Sequence, residues 1–181
     1  LTPSHSLKRP FNSFLISSNF SSGDAADLTI KLGHIRDLKH PTHLGALKFA
    51  ELVEQGTSGR IVVKVFPNSQ LGGIQEMFTQ VQTGDLQMVY GGINTFGFID
   101  GGDAFEITAI PFLYRDYEHM RSSLMADFFK PVIADAEKKT GIKIMNIAGD
   151  TTPRGLTANR PLKTPADFKG LKIRTAASEV V

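Results

Sequence analysis

Residues 28–33 alternate apolar and polar positions, the period of a half-buried strand. Pro41 then opens a stretch in which Ala46, Phe49, Ala50 and Val53 recur at helical spacing, with Gly56 just past the last turn. Residues 60–66 are rich in β-branched side chains and predict a second strand. A Pro67-Asn68-Ser69 turn and Gly72-Gly73 lead into a second helix, with Ile74, Met77, Phe78 and Val81 on one face and Gly84 as its stop. Residues 86–90 predict a third, short strand ending in Gly91-Gly92. This β-α-β-α-β order predicts an α/β fold with a mostly parallel sheet covered by helices.

The pattern loosens after that. Residues 91–103 are glycine-rich and read as loop, and residues 105–112 form a mostly apolar segment containing Pro111. Asp116 suits the cap of a helix carrying Met120, Leu124 and Phe128, and Pro131 is expected to break or restart it. A further turn or two then runs to Lys139 and closes at Gly141. Residues 142–148 predict another strand, and residues 149–153 a hinge.

Residues 154–175 place Arg154 and Arg174 on either side of a short helix signal. Thr164 suits a helix cap, Pro165 the first helical position and Asp167 the third position after the cap. Gly170 ends that turn, and residues 171–175 alternate like a strand, with Leu171 and Ile173 facing a core and Lys172 and Arg174 facing away. Arg174 is thereby expected near the carboxyl end of a strand, where open α/β sheets form binding crevices. Spacing alone favours a surface arginine in an ordinary ion pair, because exposed charges are the norm.

Residues 1–27 are rich in serine and asparagine, with Lys8-Arg9 ahead of a short apolar patch. They resemble a poor secretion signal, a tag or a disordered leader, and stand outside the predicted fold.

Composition narrows the chemistry. The chain of 181 residues is 41% hydrophobic, enough for one good core and short for two. Twenty Lys and Arg against eighteen Asp and Glu give a net charge of +2, scattered along the chain, with no basic stripe for nucleic acid. No apolar run is long enough to span a membrane. With no cysteine there is no disulfide, thiolate metal site or cysteine nucleophile. His34, His40 and His43 suggest a metal, but no carboxylate stands beside them at ligand spacing, and capping or lining a cleft explains them better. The glycine pairs fit neither a phosphate loop nor a dinucleotide fingerprint. No GxSxG elbow and no serine, histidine and acid at a recognisable spacing mark a catalytic site. Asp103 and Glu106 read as solvated loop carboxylates. No cofactor is expected.

Several stretches, in collinear order over residues 28–181, resemble one family. They are Gly33-His34 with His40-Pro41 and Gly45, then Lys48-Phe49-Ala50-Glu51, then the run from Phe66 to Gly73 (FPNSQLGG) and Gln82-Thr83-Gly84-Asp85-Leu86. The run from Ile110 to Asp116 and that from Thr164 to Arg174 complete the set. On these the chain is identified as a member of the DctP-like solute-binding proteins of tripartite ATP-independent periplasmic (TRAP) transporters.

The resemblance implies a two-lobed, non-enzymatic periplasmic protein that closes on a small carboxylate and delivers it to membrane permease subunits. It implies that Arg174 grips the ligand carboxylate through a two-pronged salt bridge, with Arg154 assisting. Asn94, His34 and Gln70 are the further expected ligand contacts, and the uncharged Gly91-Gly92-Ile93-Asn94 loop argues against a sialic-acid-type ligand. Family members are longer, so the chain is expected to be shortened at its carboxyl end. Lobe 1 would span residues 28–150, and residues 151–181 would begin lobe 2. The alternatives are a small α/β enzyme acting on an anionic substrate, or a truncated remnant that binds nothing.

Overall fold

A computed structural model describes residues 26–147 and 155–174. Three parallel strands form its sheet in the order β2-β1-β3: β1 (Leu28–Gly33), β2 (Ile61–Phe66) and β3 (Met88–Val89). β1 pairs with β2 over its whole length, from Leu28 opposite Ile61 to Gly33 opposite Phe66. Only Leu32 and Gly33 meet β3, so the third strand is shorter than its sequence predicts.

Helix α1 (Pro41–Gly56) begins as the sequence expects, with Pro41 in its first turn and the His40 ring accepting the Thr42 N–H. Its Ala46 is buried, and Phe49, Ala50 and Val53 pack beside Leu32 and Val63 on one face of the sheet. Helix α2 (Ile74–Thr83) buries Met77 and Phe78 and ends at Gly84, whose φ of 85° is the left-handed cap that glycine favours.

The other face is thicker. Within the segment read as loop, Ile93–Phe96 forms a single helical turn, α3, and Asp103–Ala109, which runs on into the apolar segment, winds as a 3₁₀ helix. Helix α4 (Tyr117–Met125) is capped by Asp116, whose carboxylate accepts the His119 N–H at 2.7 Å. Helix α5 (Phe129–Thr140) runs about three turns, longer than predicted, and closes at Gly141 with φ 72°. Pro131 sits in the first turn of α5, where its missing N–H costs nothing, so it marks the restart and not the break. The break falls at residues 126–128.

Phe78, Phe96, Phe105 and Phe129 form a contiguous aromatic chain through this second core. Phe78–Phe96 and Phe96–Phe105 meet edge to face with centroids 5.6 Å apart, and Phe105–Phe129 lie at 6.1 Å. β3 joins the two cores, because neighbouring side chains of a strand point to opposite faces. Met88 packs with the α1 layer and Val89 with the aromatic layer.

Two predicted strands are corrected. Residues 142–147 and 171–174 enter no ladder. Alternating apolar positions describe which side is buried, but a strand also requires a neighbour to exchange hydrogen bonds with, and neither segment has one among the described residues. The hinge expected at residues 149–153 and the leader lie outside the described residues.

Candidate functional site

The carboxyl ends of all three strands open at one edge of the sheet. Backbone hydrogen bonds tie the loops there together. The Tyr90 N–H donates to Gly33 C=O at 2.9 Å, and the His34 N–H donates to Phe66 C=O at 3.0 Å. The turn after β2 then folds back over the end of β1: Ser69 N–H donates to His34 C=O at 3.2 Å and Asn68 N–H to Arg36 C=O at 2.9 Å. Asn68 and Ser69 reach those positions with φ of 53° and 57°, in the left-handed region where asparagine is one of the tolerated residues. The asparagine of the FPNSQLGG stretch thus lets the turn wrap across two strand ends.

The expected ligand contacts fall as follows. Gln70 is exposed on that turn, and its N–H donates to Pro67 C=O at 3.1 Å. Asn94 is half-buried in α3 beyond β3. Its side chain folds over Gly92, where an added Cβ would lie 2.6 Å from Asn94 Oδ1. Gln70 and Asn94 share the edge at which the three strands end, with their side chains open to solvent in whole or in part.

His34 stands at the same edge but is turned inward. It is 0% exposed, its Nδ1 accepts the Arg36 N–H at 3.2 Å, and its Nε2 lies 3.1 Å from His43 Nδ1 in α1. Both ring nitrogens are committed within the protein, so the ring has no free polar atom for a ligand. Burial lowers the His34 pKa, and repulsion from His43 and then His40 lowers it further. His40, expected as a cap or cleft-lining residue, is the cap of α1. Among the described residues, no group of three or more His, Cys, Asp or Glu converges to hold a metal.

Arg174 ends the 171–174 segment exposed, with no hydrogen bond or ion pair among the described residues. The turn before it is locally well made. Asp167 Oδ2 accepts the Thr164 N–H at 2.7 Å and the Lys163 N–H at 2.8 Å, which holds the Asp167 pKa below its usual value. Arg160 donates to Asp167 C=O at 2.8 Å. Arg154 lies outside the described residues. No hydrogen bond brings Arg174 to Gln70 or Asn94.

One feature near this edge had no signal in the sequence. An apolar groove of about 260 Å³ lies between α1, β3 and the 142–147 segment, lined by Leu32, Ala46, Phe49, Met88, Tyr90 and Met145. It joins residues from four separate stretches, so no single periodicity announces it.

A parallel sheet with helices on both faces gathers its linking loops at the carboxyl edge, where open α/β sheets form their binding crevices. The chain belongs to the DctP family, the bacterial extracellular solute-binding proteins of family 7, whose model matches residues 32–181. It is 34% identical over 159 residues to the C4-dicarboxylate-binding periplasmic protein DctP of Rhodobacter capsulatus, covering 87% of this chain and 46% of that one. It is also 34% identical over 157 residues to the 2,3-diketo-L-gulonate-binding periplasmic protein YiaO of Escherichia coli K12, covering 86% of this chain and 47% of that one. A TRAP periplasmic solute-binding protein of Desulfovibrio salexigens, solved in complex with diglycerolphosphate, superposes with a TM-score of 0.73 at 31% identity. That match covers 84% of this chain and 48% of the other. The chain spans about half the length of the relatives it matches. No helix among the described residues is long and apolar enough to cross a membrane.

Proposed function

We propose that this chain supplies lobe 1, residues 28–150, and the opening of lobe 2, residues 151–181, of the extracytoplasmic solute-binding component of a TRAP-type transporter. Its ligand is a small organic carboxylate, handed on to membrane permease subunits, and it performs no catalysis. The observation that carries this reading is the collinear family match over residues 32–181, which includes the whole carboxyl edge of the sheet and Arg174.

Arg174 is the proposed anchor and Arg154 its assistant. A guanidinium presents a planar fork that matches a carboxylate with two parallel hydrogen bonds, and it stays charged at any physiological pH. Arg174 is exposed and unpaired among the described residues, so no carboxylate of those residues competes for it. Gln70 and Asn94, on the opposite side of the proposed cleft, would supply hydrogen bonds to the rest of the ligand. His34 supports that edge from within and does not touch the ligand.

A thermal-shift panel of small mono- and dicarboxylates, run on this chain beside Arg174→Ala, tests the proposal. A ligand at 100 times its dissociation constant adds about 2.7 kcal/mol to stability and raises the melting temperature. The expected result is a rise with one class of carboxylate that disappears in Arg174→Ala. A rise that survives in the variant would remove Arg174 from the site. No rise with any compound would remove the binding role from this chain.

A further inference from the structure

His34, His40 and His43 all use Nδ1 as an acceptor. His34 Nδ1 takes the Arg36 N–H at 3.2 Å, His40 Nδ1 takes the Thr42 N–H at 3.1 Å, and His43 Nδ1 lies 3.1 Å from His34 Nε2. A backbone N–H only donates, so Nδ1 of His34 is unprotonated and the neutral ring carries its proton on Nε2. That proton points at His43 Nδ1, which leaves the His43 proton on Nε2. One chain of donors, from the Arg36 N–H through two imidazoles, thus sets both tautomers.

An added proton has no place in this arrangement. On His34 it would occupy Nδ1 and confront the Arg36 N–H. On His43 it would confront the His34 Nε2–H, and on His40 it would confront the Thr42 N–H. Each protonation breaks one hydrogen bond and sets two donors face to face. Rescue by a charge is absent: among the described residues, no carboxylate bonds to any of the three rings.

The surroundings of the pair are otherwise uncharged or turned outward. β1 contributes His34, and α1 contributes His43 and the cap His40, with Lys48 and Glu51 paired to each other in solvent. The connecting loop carries Arg36, Asp37 and Lys39, all exposed, and Asp37 spends a carboxylate oxygen on the Lys39 N–H at 2.8 Å. The turn after β2 presents the Asn68 and Ser69 N–H groups and no charge, and Lys64 of β2 is exposed. α2 offers the thioether of Met77 next to Gly33.

We propose that His34, held between the Arg36 N–H and the His43 ring, is an acid-sensitive latch: neutral, it pins residues 35–40 across the carboxyl ends of β1 and β2, and protonated, it releases that loop. The latch belongs to this chain's own fold and depends on no ligand. The sign follows from the geometry. The folded state favours a neutral His34 ring, so the latch contributes its full stability above the ordinary histidine pKa of about 6.5 and loses it as pH falls through the lower folded value.

Long-range ¹H–¹⁵N imidazole spectra and amide exchange of the wild-type chain, recorded from pH 8 to pH 5, test it directly. The expected result is Nε2–H tautomers for all three rings at pH 8, with His34 titrating below the ordinary histidine value. Protection of the Arg36 amide should then fall by about tenfold while α5 amides hold theirs. An Nδ1–H tautomer on His34 would overturn the proposal, as would an Arg36 amide that stays protected after His34 is charged. His34→Asn keeps an acceptor near the Nδ1 position that does not titrate, and is expected to flatten the fall in melting temperature below pH 6.5. A fall as steep as that of the wild type would also overturn the latch. Should that variant fail to fold, the wild-type spectra decide alone.

Discussion

Phe105 is 0% exposed and touches aromatic rings on two sides, Phe96 edge to face and Phe129 at 6.1 Å. Phe105→Ala removes the middle of that chain and opens a cavity between α3 and α5, at a cost of about 3–5 kcal/mol. Urea denaturation of the two proteins should show this as a lower midpoint with an unchanged slope. A loss under about 1 kcal/mol would mean that the surrounding rings collapse into the space, against the close packing of the core. How legible this residue was differs from how legible its partners were. Helical spacing picked out Ala46, Met77 and Phe78, and all three are buried. The ring-to-ring chain could not be read, because its members come from four segments with no common separation. The same holds for His34 and His43. Each was noticed as a histidine, but a hydrogen bond from a strand end to a helix's first turn has no period to betray it. Nor did spacing show that His34 would turn inward, since residues at strand ends point either way.

At the scale of elements, the sequence revealed helices more fully than strands, and the reason is locality. Each helix closes its hydrogen bonds within a few residues, so His40-Pro41, Asp116, Gly84 and Gly141 mark its ends from local chemistry alone. A strand's bonds go to a partner whose place is set elsewhere. Residues 142–147 illustrate this, because they alternate as a strand should yet are held by a side chain instead of a ladder. Glu137 of α5 accepts from Lys143 Nζ at 2.8 Å with one carboxylate oxygen and from the Ile144 N–H at 2.9 Å with the other. The Lys143 hydrogen bond, then that of Ile144, lowers the Glu137 pKa below its usual value. The clamp is therefore fully made above the ordinary glutamate pKa of about 4.3 and is lost as pH falls through the lower folded value. Glu137→Ala should release the Ile144 amide at neutral pH, measured as faster hydrogen exchange there, while amides within α2 stay protected. An unchanged Ile144 rate would show that packing of Ile142 and Ile147, both buried, holds the segment without the carboxylate.

Across the whole molecule, the two faces of the sheet are unequal. Among the described residues, the aromatic face buries nine hydrophobic residues under α2, α3, α4 and α5, whereas the α1 face buries only Leu32, Ala46 and Val63. The apolar groove lies on that thinner side, beside α1, and part of its wall is Gly45, a glycine in the helix interior whose added Cβ would meet nothing within 4 Å. Local opening free energies track buried apolar contact, so the α1 layer should be the first part of the fold to open. Hydrogen exchange should find α1 amides less protected than those of α2 and α5 under native conditions. Gly45→Ala probes the same weakness from the other direction. In a helix interior, alanine is favoured over glycine by about 1 kcal/mol, and here the added methyl enters open apolar space without a clash. The substitution should therefore raise the protection of α1 by about fivefold and leave the aromatic face unchanged, since the two cores share little beyond β3. If α1 were already as protected as α5, or if Gly45→Ala raised protection equally on both faces, the sheet and its helices would be a single cooperative unit. The thin face would then be a feature of packing without a consequence for stability.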